Sequence, residues 1–178
     1  MPKKKPYKLD RVAIRMVKEP PLMSDHPIRG PEDAIDILAD AFCDLDREVM
    51  AVVNLRTDGK PINMNIMSIG TINCTIAVPR EALKTSVLSN ASSILLVHNH
   101  PSGNLVPSKD DIRMTDQMIK AYELLGIRVL DHIIIAPDRS YYSMREHAVF
   151  ETGLNSYSSR LEDLEFFSSN KQSEGRSR

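Results

Sequence analysis

Cysteine is scarce. Cys43 and Cys74 are the two in 178 residues, far apart and without a metal-ligand spacing or a pairing pattern. That argues against a disulfide scaffold and fits free thiols in a cytoplasmic protein. An excess of one charge is missing too. The 23 Lys and Arg against 24 Asp and Glu leave a net charge of −1, so any nucleic-acid contact has to be local. No apolar run approaches the roughly 20 residues of a bilayer-spanning helix, which excludes a helical membrane protein. The opening Met1-Pro2-Lys3-Lys4-Lys5-Pro6 has no apolar core of the signal-peptide kind. There is no internal repeat.

What is present is enough for one ordinary core, since 42% of the residues are hydrophobic. Residues 1–30 read as an extended basic and Pro-rich arm, in which Lys3, Lys4, Lys5 and Lys8 could at most touch phosphate weakly. Pro31 opens the first helix, with Glu32 and Asp33 suited to its positive end. Ala34, Ile35, Ile37, Leu38, Ala41, Phe42 and Leu45 give it one apolar face. Arg47 to Leu55 is β-rich, and Asp58-Gly59 predicts a hairpin into a second strand over 62–69. Another strand is expected over 72–78. Pro79 then starts a helix expected to turn Leu83, Val87 and Leu88 inward. A short apolar strand follows over 93–98.

After the segment 99–108, Ile112, Met118, Ile119, Tyr122 and Leu125 predict one face of a helix from Lys109, stopped by Gly126. Residues 127–135 are nearly all apolar, as in a strand covered on both faces, and 140–144 suggest a short last strand. The polar tail 149–178 reads as largely disordered, although Leu161, Leu164, Phe166 and Phe167 could form a short docking helix. Strands alternating with helices imply an α/β domain over 31–148, a mixed sheet flanked by helices.

The candidate chemistry lies in Val97-His98-Asn99-His100-Pro101-Ser102-Gly103, continued to Ser108-Lys109-Asp110-Asp111. Side chains two apart on a strand point the same way, so His98 and His100 project from one face at its end. Pro101-Ser102-Gly103 turns the chain there. Ser108-x-x-Asp111 marks a helix start, with Ser108 as N-cap and Asp111 in the first turn. Two imidazoles and a carboxylate converging on one pocket form the ligand set of a catalytic zinc site. A plain helix cap is the alternative reading of Ser108 and Asp111, and Asp110 is a rival carboxylate.

The whole string, His-x-His-Pro-Ser-Gly through Ser-x-x-Asp, resembles the JAMM (MPN+) metalloprotein motif, and within it the JAB domain of RadC-like proteins. Asp131-His132 and Pro79-Arg80-Glu81 match the same group. The resemblance implies a cytidine-deaminase-like architecture, Zn2+ held by His98, His100 and Asp111, and Glu48 as the carboxylate that moves the water proton. It implies that Ser108 hydrogen-bonds water or a developing oxyanion besides capping its helix. Asp131-His132 is expected to be a buried hydrogen-bonded pair, with support of the metal ligands by His132 as the other reading. Arg80 and Glu81 are expected to serve helix start and packing.

The implied activity is a metallopeptidase or isopeptidase acting on a protein or peptide. Competing zinc signatures are missing, both the deaminase His-x-Glu with Pro-Cys-x-x-Cys and His-Glu-x-x-His. One alternative function is a DNA-repair- or recombination-associated accessory protein. The lead-in, too short for a helix-hairpin-helix domain, leaves only weak DNA contact through the basic arm. A non-catalytic zinc scaffold is the other alternative.

Overall fold

A computed structural model describes residues 16, 22, 24–69 and 79–149. The basic cluster at 3–8, the strand expected over 72–78 and the tail with its docking helix lie outside these residues. The elements run α1 (Pro31–Phe42), β1 (Val49–Leu55), β2 (Pro61–Ile69), α2 (Pro79–Leu88), β3 (Ser93–Asn99), α3 (Lys109–Glu123), β4 (Arg128–Ile135) and β5 (Tyr141–Ser143). Among the described residues they form one sheet in the order β2-β1-β3-β4-β5. It is mixed. β3 and β4 are parallel, joined through α3, and every other neighbouring pair is antiparallel. The expected α/β architecture is the one found.

Every residue of β1 and β3 is buried, because helices cover both faces of the sheet's centre. Ala51, Val53, Leu55, Leu95, Val97, Ile133 and Ile135 pack against Ala34, Leu38 and Phe42 of α1. Met50, Val52, Ile94, Leu96 and Val129 pack against Ala82 of α2 and Met118 and Tyr122 of α3. The period-two alternation of strands sorts the two sets. The β1–β2 hairpin depends on Gly59, whose φ is +79°. A Cβ there would stand 2.8 Å from the Ile28 carbonyl oxygen, so glycine is required both by conformation and by close approach.

Two helices are rotated from their expected orientation. In α3, Thr115, Met118 and Tyr122 are buried, while Ile112 and Leu125 are 44% and 50% exposed. Spacings of four, three and four link Asp111, Thr115, Met118 and Tyr122, so one polar and apolar stripe faces the sheet together. In α2 the buried residues are Ala82 and Ser86, and Val87 and Leu88 are exposed, at 51% and 41%. The Ser86 hydroxyl lies 2.8 Å from the Tyr122 hydroxyl, which favours the small polar face at this helix–helix contact.

The β3–β4 ladder carries a register shift between Ile94 and Leu95, after which Leu95 pairs with Asp131 and Leu96 with His132. Such a slip exchanges the faces of all later side chains. Consequently His132 falls on the face of Leu96 and Asp131 on that of Leu95. The Asp131 carboxylate accepts from the His132 N–H at 2.7 Å, the Ser143 hydroxyl at 2.5 Å and the Arg145 N–H at 3.0 Å. Burial raises its pKa above the usual carboxylate value despite these donors. It ties β5 and the following turn to β4. Asp131→Ala leaves three donors short of an acceptor and is expected to cost roughly 3 kcal/mol in urea unfolding, with Asp131→Asn losing distinctly less.

Candidate metal centre

β3 is the middle strand of the sheet, and its register places His98 between Met50 of β1 and Ile134 of β4. The His98 side chain, on the α3 face, is 1% exposed. His100 lies one residue past the strand, held by its N–H donating to the Ile135 carbonyl at 2.9 Å. Pro101 and Ser102 then turn the chain, and Gly103 closes the turn at φ +77° with its N–H on the His100 carbonyl. This returns the Asn104 carbonyl to 2.5 Å from His100 Nδ1. A carbonyl can only accept, so Nδ1 carries the hydrogen and the neutral ring turns the lone pair of Nε2 inward.

Asp111 arrives from the start of α3. Ser108 Oγ accepts from the Asp111 N–H at 3.1 Å, and Asp111 Oδ2 accepts from the Ser108 N–H at 2.7 Å. This is a reciprocal capping box. The carboxylate nevertheless also faces the histidines, with Oδ1 3.4 Å from His98 Nε2 and Oδ2 3.7 Å from His100 Nε2. Capping and clustering are therefore not alternatives here. Asp110 pairs instead with Arg113 at 2.8 Å on the exposed side.

The Nε2 atoms of His98 and His100 lie 2.9 Å apart. Two ring nitrogens so close repel if both are bare, and the contact is kept only with a hydrogen or a metal ion between them. Burial is the main influence on each group of the cluster. It lowers the His98 pKa to about 4, with Asp111 opposing and His100 assisting. Burial also works against a charge on His100, but Asp111, the Asn104 carbonyl and the charge of Glu48 together raise its pKa. For Asp111, burial is outweighed by His100, His98 and Ser108, and the carboxyl stays well below its usual range. An anion beside two imidazoles is a cation receptor. Its donor atoms all lie within 4.8 Å of one another. The separations of 2.9, 3.4 and 3.7 Å bracket the roughly 3.3 Å between ligands set about 2.0–2.1 Å from a tetrahedral zinc. The residues fit a metal.

Glu48 sits immediately before β1 rather than within it, half-buried. The antiparallel register Met50↔His98, continued past the strand ends, sets Glu48 opposite His100, in keeping with the effect of its charge on that ring. Asn99, between the two histidines, faces the other way and holds the chain on either side of Glu48. Its Oδ1 accepts from the Val49 N–H at 2.8 Å and its Nδ2 donates to the Arg47 carbonyl at 3.0 Å. Asp131 and His132 are both buried and joined by the His132 N–H on the Asp131 carboxylate, while their side chains part. His132 turns toward the cluster, with Nε2 2.7 Å from His98 Nδ1. Sequence reasoning missed Asn99, Asn104 and Thr115. Asn104 acts through a carbonyl that any residue would supply, whereas Thr115 stood four residues after Asp111 on the same helical face.

The RadC-like JAB domain family matches residues 28–149. A UPF0758 protein of Caldanaerobacter subterraneus is 40% identical over 124 residues, covering 70% of this chain and 53% of the relative. One from Desulforamulus reducens is 42% identical over 118 residues, 66% of this chain and 52% of the relative. One from Alkaliphilus oremlandii is 38% identical over 125 residues, 70% and 53% of the two chains. The chain thus spans about half the length of these curated relatives. No helix among the described residues is long and apolar enough to cross a membrane.

The double duty of Asp111 can be separated by substitution. Asp111→Asn keeps an acceptor for the Ser108 N–H but removes the negative charge, so divalent-metal uptake should fall steeply with little loss of stability. Ser108→Ala should do the reverse, costing about 1 kcal/mol as a lost cap while metal uptake persists. Equilibrium unfolding beside elemental analysis checks both.

Proposed function

We propose that this chain, which belongs to the RadC-like JAB domain family, is a zinc-dependent hydrolase of amide or isopeptide bonds in a protein or peptide substrate. The observation that carries the reading is the pair of imidazole nitrogens 2.9 Å apart beside a carboxylate, with Glu48 across from His100. JAB domains are related to the JAMM metalloproteases, which supports the reaction class. His98, His100 and Asp111 would hold the metal. Zinc would supply a Lewis acid there and lower the pKa of water to about 7.

The chain's own residues do the rest. His98 forms the buried floor, while the side chains of His100 and Asp111 keep 10% and 17% exposure. A substrate carbonyl would approach past these two. Glu48 takes the proton of the attacking water and delivers it to the leaving amine, as a carboxylate base does in hydrolysis. The Asn99 amide fixes the backbone that carries Glu48, so this carboxylate needs little reorganisation. The Ser108 oxygen is the acceptor for the Asp111 N–H, leaving its own hydrogen to donate to an oxyanion forming at the mouth of the site.

Glu48→Gln keeps the shape and loses the base. Zinc content and folding should be unchanged, while hydrolysis of a cleaved peptide, found by screening amide- and isopeptide-linked substrates, drops roughly 10²–10⁴-fold. Near wild-type turnover in Glu48→Gln removes Glu48 from the mechanism. A zinc-loaded wild type inert across a broad panel points to a metal-binding scaffold instead.

A further inference from the structure

A chain of buried hydrogen bonds runs from the backbone of α3 to the outer nitrogen of His98. Thr115 Oγ1 lies 2.6 Å from the Asp111 carbonyl oxygen and 2.6 Å from His132 Nδ1. His132 Nε2 lies 2.7 Å from His98 Nδ1. His132 is fully buried, Thr115 2% exposed and His98 1% exposed. These contacts therefore have no water to replace them, and their polarity can be worked out atom by atom.

The Asp111 carbonyl has no hydrogen to give, so at 2.6 Å the Thr115 hydroxyl must donate to it. A hydroxyl owns a single hydrogen. The remaining contact of Thr115 that could accept one, Met144 Sδ at 3.5 Å, is a far weaker acceptor. Thr115 Oγ1 thus meets His132 as an acceptor, and His132 Nδ1 carries the hydrogen. The ring is fully buried between Thr115 Oγ1 and His98 Nδ1, where an imidazolium is strongly disfavoured, and the neutral ring has a bare lone pair on Nε2. That lone pair accepts from His98 Nδ1–H. His98 is then the tautomer whose Nε2 is unprotonated and faces His100 and Asp111.

We propose that Thr115 and His132 are positioning residues that lock His98 in its metal-binding tautomer, through a relay that begins on the carbonyl of Asp111. The inference rests on the reading of His98, His100 and Asp111 as metal ligands. It adds that Asp111 acts twice. Its carboxylate faces the two histidine Nε2 atoms, and its carbonyl, by way of two side chains, sets the proton of the ligand across the site. Rotating the first turn of α3 therefore disturbs two ligands together. His100 has a separate lock, the Asn104 carbonyl, and is independent of this relay.

Two readouts on the full-length chain test the relay. The first, on metal-free protein with 15N-labelled histidine, reads tautomers by long-range 1H–15N correlation. Wild type should show His98 protonated on Nδ1. Thr115→Val, which keeps the shape but removes the acceptor, should move the His98 hydrogen to Nε2, and Thr115→Ser should restore the wild-type pattern. The second is Zn(II) affinity by competition with a chromophoric chelator. Thr115→Val should weaken it roughly 10–100-fold, the usual effect of losing a group that orients a ligand, with Thr115→Ser recovering most of the loss. If Thr115→Val does not fold, His132→Leu against His132→Gln, whose amide oxygen can still accept, makes the same comparison. A His98 hydrogen on Nε2 in wild type overturns the proposal. So does a Thr115→Val protein with unchanged tautomer and affinity. Wild type that binds no Zn(II) defeats the metal reading alone, and the tautomer measurement then still decides the relay.

Discussion

Two lone pairs aimed at each other inside a protein form a contact that a fold does not keep without compensation. His98 and His100 present their Nε2 atoms 2.9 Å apart in a pocket nearly closed to solvent. Each outer nitrogen is occupied by a partner of its own, a ring in one case and a carbonyl in the other. Neither imidazole can turn away without leaving a buried polar group unpaired, at a cost of about 1–3 kcal/mol. The repulsion is relieved by a hydrogen or a metal ion in the gap, and the Asp111 carboxylate supplies negative charge beside it.

The surrounding architecture follows from that constraint. A parallel β3–β4 pair lets a crossover helix start next to the end of β3, which brings Asp111 to His98. The register shift at Ile94 and Leu95 places His132 on the cluster's face and sends Asp131 to the other. Antiparallel β1 brings Glu48 level with His100, and Asn99 clamps it there. Placing Asp111 and Thr115 against the sheet also sets the rotation of α3. That explains why Ile112, apolar but on the wrong side of the stripe, is left in solvent.

Much of this was legible in the chain. Alternation, the Asp58-Gly59 turn and the Ser108-x-x-Asp111 start predict the sheet, the hairpin and the helix, because each is a local rule. The convergence of His98, His100 and Asp111 was readable for the same reason, since a strand end, a turn and a helix start lie within fourteen residues. What escaped is non-local. Strand alternation alone turns Asp131 and His132 to opposite faces, but no periodicity announces the one-residue slip between β3 and β4 that decides which of them meets the cluster. The partners of α2 are likewise set by Tyr122, thirty-six residues away from Ser86, and an exposed Val87 is invisible to a helical wheel.

The most direct measurement is anomalous diffraction at the zinc edge from crystals of the full chain grown with Zn(II). One peak is predicted among His98 Nε2, His100 Nε2 and an Asp111 carboxylate oxygen, with bonds of about 2.0–2.2 Å. The two imidazoles should keep their Nδ1 contacts to His132 and Asn104. A zinc-saturated crystal with no ion at this position, and the 2.9 Å contact bridged by a proton alone, would contradict the account.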